Sequence, residues 1–165
     1  MINISGFGLK ATVVALQTFP MGFTLSKFAD TSNPIEFEPM SPVGYEMLFD
    51  GDLFAFDKAA PVIVSCSVLP QTDDDINLKM MLTSKKGGVR WLPFSDVTTM
   101  VVTYPDGGRV VLSNGTIVSG PIGDTVLQTG RKACNTYKFA FGTVAGLQSS
   151  AESIVTVAQN ILSVI

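Results

Sequence analysis

Carboxylates and thiols carry whatever chemistry this chain has to offer, because it contains no histidine. Without an imidazole no Ser-His or Cys-His pair forms, and the common routes to an activated nucleophile close. Three aspartates stand together as Asp73-Asp74-Asp75. Clustered carboxylates bind Mg²⁺ or Ca²⁺, or act as acid and base. Here Thr72 with Asp75 three positions on makes a variant capping box, with Asp where Glu or Gln is usual. Acids in a first turn also complement the helix dipole. Capping therefore accounts for the cluster, and no metal site is assigned. Glu36 and Glu38 alternate along an extended run, which puts both on one face. Glycoside chemistry needs carboxyl groups on either side of the substrate, and such a pair does not supply them. Cys66 and Cys134 fall in separate apolar runs, whereas zinc wants four ligands. They read as buried free thiols of a reducing cytoplasm, with a disulfide between them left open. Gly6-Phe-Gly8 and Lys86-Gly-Gly88 lack the Lys-Ser/Thr of a phosphate-binding loop. The expectation is no enzyme, no cofactor and no metal.

Charge narrows the partners. Net charge is −3, and only 15% of the 165 residues are charged against 46% hydrophobic. Mean hydropathy is +0.36. Soluble domains usually carry about 25% charge, so a subunit that buries much of its surface in an assembly is expected. Lys85-Lys86 and Arg131-Lys132 read as solvated loop charges. Scattered bases and a negative net charge argue against a surface that grips nucleic acid. The longest apolar stretch, 154–165, is too short and too interrupted to cross a bilayer, so no membrane anchor is expected.

The elements that position these groups read as mainly β with helices, an α+β chain of one domain spanning 1–165. Thr12–Gln17 and Gly22–Phe28 read as strands. Pro61–Leu69, rich in Val and Ile, is the strongest strand signal. Ile76–Leu82 follows the capping box as a short helix, its apolar residues on one buried side. Thr98–Tyr104, Arg109–Ser113 and Thr116–Ser119 are separated by Asp106-Gly107-Gly108 and Asn114-Gly115, which predicts a three-stranded meander. Asn135–Phe141 alternates Tyr137, Phe139 and Phe141 with smaller residues, as a strand with an aromatic face does. Ser149 and Glu152 form a capping box for a C-terminal helix over 149–165.

Residues 35–58 stand apart. Asp50-Gly51 lies between Ile35–Phe49 and Asp52–Phe56, a signal for a hairpin with a tight primed turn. Its arms bear Tyr45, Met47, Leu48, Phe49, Leu53, Phe54 and Phe56. A protruding arm this apolar needs a cover, either its own core or another copy of the chain. These seven residues are the candidate subunit interface.

The order of elements, a long aromatic hairpin, a Val/Ile strand running through Leu69-Pro-Gln-Thr-Asp-Asp-Asp75 into a short helix, then further strands, resembles the tail tube proteins of long-tailed bacteriophages. The resemblance covers roughly 20–142 in element order, and its motif support lies in 43–82. It implies an antiparallel β-sandwich or half-barrel that forms hexameric rings. The rings would stack into a tube that conducts genome DNA without specific binding, the hairpin reaching a neighbouring ring. Sheath, baseplate and terminator proteins are the implied partners. The implied location is the virion tail, after synthesis in the host cytoplasm. A C-terminal helix is foreign to that pattern and leaves room for a tube-initiator or baseplate component. A different class, a monomeric β-sandwich binding a ligand on Trp91 or Tyr104, is the rival reading.

Overall fold

A computed structural model describes residues 6–85 and 97–148. Trp91, Lys86 and the expected C-terminal helix lie outside the described residues. Among these residues, nine strands and one helix run in the order β1 (Lys10–Ala15), β2 (Phe19–Leu25), β3 (Ile35–Phe37), β4 (Val43–Met47), β5 (Leu53–Asp57), β6 (Val62–Val68), α1 (Asp73–Ser84), β7 (Thr98–Thr103), β8 (Arg109–Ser119) and β9 (Asn135–Gln148). Seven strands make one antiparallel sheet, ordered β2-β1-β7-β8-β9-β6-β3. The sheet curls into a half-barrel, as expected for one of the two alternatives. β4 and β5 form a separate two-stranded sheet.

Period-2 alternation sets the core. Ala11, Val13 and Ala15 on β1, Met100 and Val102 on β7, and Tyr137, Phe139 and Phe141 on β9 all turn to one face and are buried. β6 adds Val62, Val64, Cys66 and Val68 to that face, while Leu78 and Met81 of α1 close over it. The aromatic alternation read from 135–141 is thus the centre of the core.

Asn114-Gly115 does not turn the chain, so the expected meander is corrected to one hairpin. β8 is continuous from Arg109 to Ser119. Against β7, Thr98 pairs with Gly115 and Met100 with Leu112, so β8 holds one residue more than its partner there. Asn114 takes that extra place with φ +56°. This is a β-bulge, and it inverts the alternation beyond it. Leu112 and Ile117, an odd number of residues apart, are consequently both buried. β9 also runs past Phe141 to Gln148, its far half paired with the first half of β8.

Gly115 is required where it stands. A Cβ there would strike the Phe141 ring and lie 2.7 Å from the carbonyl oxygen of Ala140. The oxygen belongs to a paired strand and has no room to retreat. Gly115→Ala is expected to destabilise the fold by roughly 1–3 kcal/mol, the usual cost of overpacking. Thermal unfolding against the native chain checks this; an unchanged melting temperature would contradict it.

The hairpin differs from expectation in extent and in turn. Ile35–Phe37 pairs with Val64–Cys66 in the main sheet, so the free-standing arm begins at Val43. Its turn is not a two-residue primed turn. Gly51 N–H donates to Leu48 C=O at 3.0 Å and Leu48 N–H to Asp52 C=O at 2.7 Å. Gly51 has φ +93°, while Asp50 stays at negative φ. That is a three-residue loop closed by a left-handed glycine. Tyr104–Gly108 repeats the same pair of bonds between β7 and β8.

Candidate functional site

Among the described residues, the arm gathers a run of exposed large apolar side chains outside the core. Tyr45 is 74% exposed, Met47 66%, Leu53 63% and the tip residue Phe49 fully so. Leu48, Phe54 and Phe56 are about half exposed. Register fixes the ribbon: Val43 faces Asp57, Tyr45 faces Ala55 and Met47 faces Leu53, with Gly44 opposite Phe56 and Glu46 opposite Phe54. The Phe56 ring lies across Gly44, where any Cβ would collide with it. The Phe54 ring lies beside it, tilted by 34°, at 5.9 Å between centroids. None of the seven interface candidates belongs to the hydrophobic core. A two-stranded ribbon alone is marginal in water.

The aspartates do more than cap. Asp73 is exposed in the first turn. Thr72 Oγ accepts from Asp75 N–H at 3.4 Å, and Asp75 answers by accepting from Gln71 N–H at 3.2 Å. That is the capping box displaced by one residue. Yet Asp74 and Asp75 are buried. One oxygen of Asp74 accepts from the backbone N–H of Ser26 at 3.0 Å and Lys27 at 2.9 Å, tying the end of β2 to α1. Asp75 accepts from Tyr137 Oη at 2.7 Å and Asn135 Nδ2 at 2.8 Å, and pairs with Lys79 Nζ at 3.0 Å. Lys79 also pairs with Asp124, which accepts from Asn135 and from Lys132. The reading of Asp73–Asp75 as wholly a capping cluster is corrected accordingly. Its partners lie some 60 residues away, where no local pattern reveals them.

Electrostatics follow from these contacts. Burial alone would raise the Asp75 carboxyl, but hydrogen bonds from Tyr137, Asn135 and Lys79 hold it below its ordinary value. Asp124 is held well below the usual carboxylate range, first by Lys79 and then by Asn135 and Lys132. Burial, and then the bond to Asp75, push the Tyr137 phenol far up. The network is structural in geometry: it clamps residues 120–134 onto α1 and β9. Among the described residues, no group of three or more acidic or thiol side chains converges on a metal position.

The remaining candidates separate. Glu36 bonds Asn33, and Glu38 pairs with Lys138 at 3.2 Å. Arg131 and Lys132 stay in contact with solvent, as expected of loop charges, and they also pair with Asp30 at 2.8 Å and Asp124 at 3.1 Å. A shallow cavity of about 320 Å³ lies beside them, walled by Thr31, Leu127 and Cys134 among others. Tyr104, the alternative stacking platform, packs against the core. Ile76 and Met80, expected on the buried side of α1, are half exposed, because Asp74 and Asp75 occupy that side with Leu78 and Met81.

Both cysteines are free, Cys66 buried and Cys134 half-buried. Burial pushes the Cys66 thiol up to about 12. Cys134 precedes β9 and touches Asp30 and Thr31, so it is not the buried strand thiol expected. A thiol reagent should therefore label Cys134 in the folded protein and Cys66 only after unfolding. Equal labelling of both in the native state would contradict this.

A family model described as "Tail fiber protein gp32" matches residues 2–145. Among curated proteins, none matches the chain. One solved structure with a similar fold is a chain of the six-fold symmetrised anti-feeding prophage (AFP) baseplate, determined by cryo-electron microscopy. It aligns with a TM-score of 0.53 at 10% identity, covering 90% of this chain and 95% of that one. At that identity the likeness is one of fold.

Proposed function

The chain belongs to the family of tail fiber protein gp32, and from that premise we propose that it is a ring-forming structural subunit of a phage tail, at the tube or its baseplate end. The observation that carries this reading is the arm Val43–Asp57, whose large apolar side chains stand half to fully exposed among the described residues. Re-exposing one such side chain costs about 1.5–3 kcal/mol. A chain with only 15% charged residues reaches stability in water more readily if neighbours cover them. Head-to-tail contact between an arm and a different surface repeats from copy to copy, and it closes as a ring where the rotation between copies closes. Six copies follow from the resemblance to tail tube proteins. The fold shared with a baseplate chain favours the tube's end over its length. In this reading the ring takes its place in the virion among neighbouring tail proteins, and genome DNA passes through it.

Size measurement tests the proposal. Sedimentation and electron microscopy of the purified protein, taken to high micromolar concentration, should reveal closed rings or short stacks. Monomer at every concentration would overturn it. The lumen must let DNA slide, and the net charge of −3 repels phosphate. Duplex DNA should accordingly bind only weakly at physiological salt. Submicromolar affinity with a steep salt slope would contradict the conduit role.

A further inference from the structure

An antiparallel sheet with one face in the core commonly shows a clearly polar face to water. Opposite the core, β2, β1, β7 and β8 do not meet that description. Thr24, Thr12, Val101 and Val111 lie side by side across the four strands. Val14 and Thr99 stand together in the next row on that face. Thr12 and Thr24 are exposed and the other four half-buried. The only charged residues on these four strands are Lys10 and Arg109, and both stand at the rim. There Lys10 pairs with Thr103, Thr103 with Arg109, and Arg109 with Gln148, the last residue of β9. Both cations are exposed, and neither enters an ion pair among the described residues.

We propose that residues 149–165 of the same chain lie across this face as a helix. The segment follows Gln148 directly, so it sets out from the rim of the face. The other side of the sheet is closed to it there, since Ala11, Leu25 and Val102 are fully buried in the core. Its sequence asks for such a cover. Ile154, Val157, Ile161, Leu162 and Ile165 recur at helical spacing, and Ser153, Thr156, Asn160 and Ser163 form a polar stripe on the opposite side. One apolar side toward the sheet and one uncharged polar side toward water is the pattern of a helix laid on a surface. Length fits as well. A helix over 149–165 is about 25 Å long, and β9 to β2 is four strand spacings, about 19 Å. Charge agrees: Glu152 is the one charged side chain of the segment, and it falls in the first turn, beside the rim that carries Lys10 and Arg109. The proposal is independent of the ring reading, because the cover lies within one chain and leaves the arm untouched.

Crosslinking in the full chain tests the proposal. A photo-crosslinker placed at Thr12 or at Val101 should couple to residues 149–165, and the product should run at monomer mass under denaturing conditions. A product of dimer mass would hand the face to a second copy, and coupling elsewhere or none would leave it without this cover. Either result overturns the proposal. Thr12→Glu gives a second reading, free of the bulky probe. Thr12 is exposed among the described residues, so a bare face tolerates the charge and the melting temperature holds. Beneath a packed helix the same charge is expected to lower the melting temperature by roughly 5 °C or more. An unchanged melting temperature would contradict the cover, whether or not the chain forms rings.

Discussion

The Leu48→Ser, Phe54→Ser double variant is expected to fold like the native chain and to remain a monomer. Both side chains are about half exposed in the isolated subunit, so replacing them removes little that the fold uses. The arm forms its own two-stranded sheet, and its apolar residues stay outside the core built on β6 and β9. In an assembly each lost contact should weaken association by about 1.5–3 kcal/mol. Together they raise the dissociation constant roughly a hundredfold or more, and repetition around a ring multiplies the loss. Thermal unfolding and sedimentation on the same sample check both halves of the expectation. A variant that melts earlier yet assembles fully would mean the arm folds onto its own subunit.

Asp75→Ala is expected to have the opposite signature, a large loss of stability that precedes any effect on assembly. The Asp75 side chain is 1% exposed and bonds Tyr137, Asn135, Lys79 and the Gln71 backbone. Removing it strands a buried phenol and leaves the Lys79 ammonium leaning on Asp124 alone. Breaking a buried charged network from one side costs about 3–5 kcal/mol, a fall in melting temperature of roughly 10 °C for a chain of this size. The pH dependence has a definite sign. Native Asp75 and Asp124 titrate below their ordinary range. Their contribution is therefore complete above the unfolded carboxylate value of about 4 and is lost as pH falls through the lower native values. Lys79 titrates above its ordinary value: burial opposes the charge, and Asp124 with Asp75 outweighs it. Its contribution is full below about 10 and fades above that. Stability should be flat across neutral pH and drop in acid, and Asp75→Ala should blunt the acid drop. An Asp75→Ala chain with native stability would contradict the clamp.

The sequence made local features legible and long-range ones illegible. Val62–Val68 and the Tyr137, Phe139, Phe141 alternation announce themselves because β-branched and aromatic residues at period 2 have few other uses. Thr72 marked the helix start for the same kind of local reason. Asn114-Gly115 misled because one dipeptide serves a hairpin turn and a bulge equally. Pairing with β7 and β9 decides between them, and that lies outside the local window. Asp74 and Asp75 misled because capping and burial ask for the same residue at the same place. Only the arrival of Tyr137 and Asn135 from β9 separates the two roles. That displacement in turn explains why Ile76 and Met80 face outward. The arm was legible as a hairpin from its glycine and its aromatic residues. Its starting point was not, because Ile35–Phe37 is claimed by β6 across the sheet.

We read this chain as a ring subunit whose arm is covered by neighbours. Cryo-electron microscopy of the intact tail tests it most directly. Copies of the half-barrel are expected in a closed ring around the tail axis, with Val43–Asp57 of each copy buried against adjoining subunits. Density for the chain in a peripheral fibre away from the axis, or in a ring with that arm bare in solvent, would contradict it.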